Sequence, residues 1–287
     1  TWSRELPPEI RAVKNGNQPW AAAFFPDGKR FVSVARGYQL IQTDATTGAT
    51  VRVYKLPRTL TIPGGFVTAW TVGVSPDGKV IASAGADGQV VVWDADNPAP
   101  RVAFDGVSPQ ARKNDGRNIF SLEFAPDGTL WVTDGDNGLQ HWDLTAQPKP
   151  KLLARLVPEH LKNVAAPVLN VLALAPDGKR AFTGDRAGNV WEWNVETGTL
   201  VRTLGAHGWV QDLAVSPDGS RVAATGPHGH ARVFDVKGNR GALDIDLFGS
   251  NGNGLAFAAT DPVLITADND GNIRFWHTET GQPVGLP

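Results

Sequence analysis

The stretch KVIASAGADGQVVVWD, residues 79–94, decides the fold. It begins with an apolar run from Val80 to Ala84, turns at Ala86-Asp87-Gly88, and resumes from Val90 to Trp93. Asp-Gly between two β-rich runs signals a tight hairpin, because the turn needs a positive φ that Gly adopts without steric cost. The same shape returns at residues 263–277 as VLITADNDGNIRFWH.

Working outward, each hairpin is preceded by a marker. Pro-Asp-Gly occurs at 26–28, 76–78, 126–128, 176–178 and 217–219, each time after a short apolar run. A sixth apolar run, GLAFAATDP at 254–262, has lost the tripeptide. A second marker closes each hairpin: Trp93-Asp94, Trp142-Asp143, Trp193-Asn194, Phe234-Asp235 and Trp276-His277, with Thr43-Asp44 as a remnant in the first repeat. After it come a turn and another short apolar run. Each unit therefore reads as four short antiparallel strands, here called first to fourth. Helical periodicity is confined to PEHLKNVAA at 158–166. Repeats of four strands every 40 to 50 residues predict an all-β, six-bladed β-propeller of four-stranded antiparallel blades. The expected blades are 19–56, 66–105, 117–156, 167–204, 208–247 and 252–286, within a single domain 1–287. By its alignment with Leu200–Leu204, the N-terminal strand 9–13 is expected to close the last blade, with Gln282–Leu286 competing for that place.

The Trp-Asp ending, the Asp-Gly turn and the Ser-Pro-Asp-Gly turn together resemble the WD-repeat β-propeller family, in a bacterial-type form with degenerate repeats. The resemblance implies a hydrogen-bond network of a turn Asp, a loop His, a second-strand Ser or Thr and the third-strand Trp. No repeat here has all four members: His207 stands alone, and its own repeat has His228 and Phe234 at the Asp and Trp positions. Blade packing is then expected to carry the fold.

Composition narrows the function. The 287 residues include no Cys, which removes thiol catalysis, Cys-ligated zinc, Fe–S clusters and covalent haem. The 27 Lys+Arg against 29 Asp+Glu argue against nucleic acid or a membrane surface as the main partner. No apolar run is long enough to span a membrane as a helix. There is no Met, so Thr1 is expected to follow processing or excision from a longer chain, and the location stays open between cytoplasm and a processed exported domain. No G-x-S-x-G, H-E-x-x-H or phosphate-binding Gly loop is present. Asp268-Asn-Asp270-Gly271 and Asp134-Gly-Asp136-Asn137 start like calcium loops, but Phe275-Trp276 intervenes before Glu279, so they read as turns. Neither a catalytic residue, a metal ligand nor a cofactor site is expected, and the chain reads as a non-enzyme.

The binding face is predicted from loops and aromatics. Connections from a fourth strand to the next first strand are long at 57–66, 105–118 and 157–167. Long connections without structure of their own are functional or slack. Six residues before each Pro of the tripeptide sit Trp20, Trp70, Phe120, Asn170 and Gln211, with Asn253 as the sixth equivalent. The resemblance implies that this position, and the one two residues earlier (Trp209 in the fifth repeat), meets partners. Arg36, Tyr38 and Arg186 lie in hairpin turns on the same face, and Arg112, Lys113 and Arg117 form a basic cluster on one long loop. The partner expected is a protein or peptide, bound by a monomeric scaffold. Two other readings stay open. The rings could pack between blades, or the chain could be the sensor or accessory propeller of a larger bacterial protein, with a small ligand in its channel.

Overall fold

The computed structural model describes residues 19–35, 39–55, 69–107, 118–134, 138–157, 169–205, 208–238 and 241–285. These residues form strands and turns, with no helix among them. The expected closing strand 9–13 and the helical candidate 158–166 lie outside the described residues. The chain divides into two compact units, one ending at Arg155 and one beginning at Leu156.

The first unit holds three sheets, each in the strand order of the chain. The first comprises β1 (Pro19–Phe24), β2 (Arg30–Ala35), β3 (Gln39–Asp44) and β4 (Thr50–Lys55). The second comprises β5 (Ala69–Val74), β6 (Val80–Gly85), β7 (Gln89–Asp94) and β8 (Pro100–Asp105). The third comprises β9 (Ile119–Phe124), β10 (Leu130–Asp134), β11 (Leu139–Asp143) and β12 (Lys151–Leu156). The predicted hairpin is β6 and β7, antiparallel with Ile81 opposite Trp93, and Gly88 turns it at φ 75°.

The second unit repeats the plan. Its first sheet is β13 (Leu169–Leu174), β14 (Arg180–Asp185), β15 (Asn189–Asn194) and β16 (Thr199–Gly205). The next is β17 (Asp212–Val215), β18 (Arg221–Thr225), β19 (His230–Asp235) and β20 (Leu243–Asp246). The last has β21 (Gly252–Phe257), β22 (Val263–Asp268) and β23 (Ile273–His277). Beside β23 the C-terminal segment takes part of the fourth place. Val284 N–H donates to Phe275 O at 2.7 Å, and His277 N–H donates to Gln282 O at 2.9 Å. Six successive antiparallel blades make this an all-β, six-bladed β-propeller.

The continuous apolar run of β7 follows from burial on both faces. In a strand, alternate side chains point to opposite sides. Val91 and Trp93 pack toward the first sheet with Val34, Leu40 and Tyr54. Val90 and Val92 pack toward the third, with Ile119, Leu122 and Val132. A middle blade therefore needs apolar residues at every position of its inner strands, and the hydrophobic pattern loses its period of two. In the second unit the same layering joins Phe182 and Val190 to Val222 and Phe234, and Ala231 and Ile245 to Leu264 and Trp276.

The Pro-Asp-Gly turns are held by their Asp. Asp77 accepts Ser75 Oγ–H at 2.6 Å and Lys79 N–H at 3.0 Å, and these bonds, Ser75's first, hold its carboxyl below the usual range. Asp218 repeats this with Ser216 and Ser220.

A second repeated device links neighbouring blades at their outer strands. The Tyr54 hydroxyl donates to Ala95 O at 2.5 Å, Arg101 Nη2 to Leu144 O at 3.3 Å, and Arg202 Nη2 to Val236 O at 2.9 Å. Each acceptor lies two residues after a Trp93-type marker, and each donor sits on the fourth strand of the preceding blade. Tyr54 is fully buried, and burial pushes its hydroxyl up to about 12. Tyr54→Phe keeps the ring against Trp93 (centroids 6.2 Å apart) but strands the Ala95 carbonyl. Urea unfolding is expected to show a loss of about 1–3 kcal/mol, the cost of an unpaired buried polar group. An unchanged midpoint would mean that this link carries no weight.

Candidate functional site

The first strands converge on one feature. Strand β5 pairs with β6 as Ala69 with Gly85 and then Thr71 with Ala84, leaving Trp70 as the extra residue of a β-bulge. The same shift falls between Pro19 and Ala21, between Leu169 and Val171, and between Gly252 and Gly254. In the third blade Asp134 pairs with Ile119 and Thr133 with Ser121, skipping Phe120. So Trp20, Trp70, Phe120, Asn170 and Asn253 all occupy bulges. Bulges re-aim the side chain that they release from the ladder. Because a first strand starts where the second ends, the bulges lie at the blade edge that also carries the hairpin turn and the connection from the preceding blade.

The re-aiming brings two predicted residues together. Trp70 and Phe120, from adjacent blades, stack with centroids 5.1 Å apart and an interplanar angle of 21°. Both are half-buried, so the pair is neither sealed in the core nor free in solvent. A second predicted pair meets in the other unit. The Arg186 guanidinium lies 5.3 Å from the centroid of the Trp209 ring, and Trp209 is 37% exposed. Such a cation–π contact holds an exposed indole in one orientation at little entropic cost. Of Trp20 only the strand position is described. Arg36, Tyr38, Arg112, Lys113 and Arg117 lie outside the described residues, as do most of the three long connections.

Polar residues take the equivalent positions in the second unit. Asn170 Nδ2 donates to Val210 O at 2.5 Å, across the seam between two blades. Asp212, one residue past Gln211, accepts Leu255 N–H of the next blade at 2.7 Å and Leu213 N–H at 3.0 Å. Thr71 makes the matching link in the first unit, accepting Leu122 N–H at 3.3 Å. Burial pushes the Asp212 carboxyl up to about 7, against the two amide bonds that favour its charged form.

In the second blade Asp87, inside the hairpin turn, accepts Gln89 N–H at 3.1 Å, whereas in two other blades the Asp that holds the turn stands at the end of the second strand. Asp185, fully buried at the end of β14, accepts Ala187 N–H and Asn189 N–H at 2.8 Å each and Trp191 Nε1–H at 3.2 Å. Asp268 does the same in the last blade, accepting Asp270 N–H at 3.0 Å and Asn272 N–H at 2.9 Å and pairing with Arg274. The calcium-like start at Asp268 is thus engaged as a turn. Among the described residues no group of three or more His, Asp or Glu is placed to hold a metal ion. The third-strand Trp bonds in part as implied: Trp193 Nε1–H and Trp276 Nε1–H donate to Thr183 and Thr266 Oγ1 at 2.9 Å each. His141 stacks on Trp131 at 4.2 Å, and burial pushes its imidazole down.

These blades, turns and paired Trp and Thr residues define a WD-repeat propeller. The family described as "WD domain, G-beta repeat" matches residues 50–94, 198–235 and 248–277. The first two matches begin at a fourth strand and end on the third strand of the next blade, so the sequence repeat is offset from the blade. The chain thus carries repeats of the WD type at these residues. It is 29% identical over 195 residues to "Protein groucho" of Drosophila melanogaster, covering 67% of this chain and 25% of that protein. It is 24% identical over 269 residues to "Guanine nucleotide-binding protein subunit beta" of Solanum tuberosum, covering 88% of this chain and 66% of that one. The chain thus spans only part of each relative's length. No helix among the described residues is long and apolar enough to cross a membrane.

Proposed function

We propose that this protein is a non-catalytic scaffold that binds a protein or peptide on the blade edges carrying the hairpin turns and the connections between blades. The observation that carries the reading is the half-buried Trp70–Phe120 stack, built from two bulged residues on adjacent blades. Aromatic anchors held in fixed orientation are the usual centre of a protein interface. Trp20, at the equivalent bulge of the first blade, is taken as a further contact. Trp209 with Arg186 supplies a second anchor, and Arg36, Tyr38, Arg112, Lys113 and Arg117 serve as a polar rim. The Solanum tuberosum relative is by its name a subunit, which agrees with this reading. The scaffold is taken to act as a monomer, and its balanced charge fits a partner other than nucleic acid.

The test is selection of a displayed random peptide library on the purified protein, followed by Trp70→Ala with Phe120→Ala. Truncating two central aromatics is expected to weaken the selected peptides by about 100-fold or more. Both side chains are part-exposed, so melting should change little. Peptides that bind the double variant as well as wild type would place the site elsewhere.

A further inference from the structure

One aromatic residue lies outside every role described above. Phe248 follows β20 in the connection to the last blade, and 67% of its surface is exposed, more than that of any other large apolar residue described. Its φ is 59° and that of Gly249 is 79°, while Ser250 N–H donates to Leu247 O at 3.3 Å. A turn with both central residues at positive φ is the type I′ pattern, whose first central place suits Asn, Asp or Gly and strains a bulky side chain. Neither burial nor backbone preference therefore accounts for a Phe here. Strain kept at an exposed aromatic points to use of the ring.

The surroundings describe what the ring would meet. Ile273, at the start of β23, is also 65% exposed, but strand alternation puts it on the opposite face from Arg274 and Trp276, so Phe248 is the exposed apolar group on this face. Phe248 rests on one side against Trp276, with centroids 6.0 Å apart, and under Arg274, whose guanidinium is 5.6 Å from its centroid. Arg274 is neutralised by Asp268. Two exposed carboxylates are bonded to this turn: Asp246 accepts Phe248 N–H at 2.7 Å, and Asp270 accepts the Ser250 hydroxyl.

We infer that Phe248, with the exposed Asp246 and Asp270 carboxylates bonded to its turn, forms a docking point for a basic protein segment that presents Lys or Arg. The inference extends the protein-binding reading to a further anchor that works without the Trp70–Phe120 stack. An acidic segment would meet like charge from both carboxylates, which disfavours it.

Peptides from the same displayed library test it against three proteins. Phe248→Asn relieves the turn, so its Tm is expected to stay within about 2 °C of wild type or to rise. Asp246→Asn with Asp270→Asn keeps the acceptor oxygens and removes both charges. A set of Lys- or Arg-bearing peptides should lose about 10-fold or more in affinity on each of these variants. That set should be unaffected by Trp70→Ala with Phe120→Ala. The proposal is overturned if no selected peptide depends on Phe248, if the dependent ones are acidic, or if Phe248→Asn lowers Tm further than stated. A library with no binders at all contradicts both readings. Binders that need only Trp70 and Phe120 contradict this one alone.

Discussion

Asp212→Asn is expected to raise the melting temperature at pH 8 and to leave it nearly unchanged at pH 4. The Asp212 carboxylate is half-buried between two blades and, among the described residues, bonded to the amides of Leu213 and Leu255, and its pKa is pushed up to about 7 from an ordinary 3.8. Between those values the folded protein holds the proton that the unfolded chain releases. Stability therefore falls as pH rises from about 4 to about 7, and the penalty is fully present above that window. A shift of about 3 units corresponds to at most about 4 kcal/mol. Asn keeps one acceptor for Leu255 N–H and loses the bond from Leu213, a cost of about 1 kcal/mol. The net gain of about 3 kcal/mol amounts to a rise on the order of 10 °C for a chain of this size. Thermal melts of both proteins at pH 4, 6 and 8 check it. Parallel pH profiles would show that Asp212 does not titrate in this range.

Gly226→Ala should be the most damaging single methyl group added to the second unit. A Cβ on Gly226 would lie 1.9 Å from Trp209 O, and that neighbour is backbone, which cannot rotate away. The carbonyl belongs to the segment that enters the fifth blade and carries Trp209, while Gly226 O also accepts Gly252 N–H from the sixth. Relief requires moving both connections. The cost should reach about 3 kcal/mol or more, the upper end for overpacking. Chemical denaturation measures this loss. The Trp209 indole should also become more exposed, which quenching by iodide reports. A wild-type midpoint would contradict the close approach of these segments.

Much of the fold was legible because its determinants are local. Pro-Asp-Gly and Asp-Gly need particular backbone angles over a few residues, and Asp77 and Asp218 satisfy their turns with neighbours two positions away. The alignment of Trp70 with Phe120 was also readable, because both are counted from such a turn. That they are bulged, and therefore stacked, depends on the pairing of β5 with β6 and β9 with β10. No spacing within one strand reports it. The outer links from Tyr54, Arg101 and Arg202 join residues 34 to 43 apart, and nothing local marks the donors. The Asp that holds a hairpin turn was legible only in part for a related reason. Asp87 acts from inside its turn, whereas Asp185 and Asp268 close theirs from the end of a strand that reads as plain β-sequence. Phe248 was invisible because a phenylalanine before Gly looks like any apolar residue until its φ is known.

The central claim is that bulged aromatics on the blade edges, and not the core tryptophans, meet the partner. Ten tryptophans make this directly readable. Titrating a Trp70-dependent library peptide into ¹⁵N-labelled protein, with indole N–H signals assigned by single Trp→Phe changes, separates the two sets. The account predicts that the Trp70 signal moves most, while Trp93, Trp131, Trp191, Trp193 and Trp276, each at most 2% exposed, stay in place. Shifts confined to these buried five, with Trp70 unmoved, would contradict it.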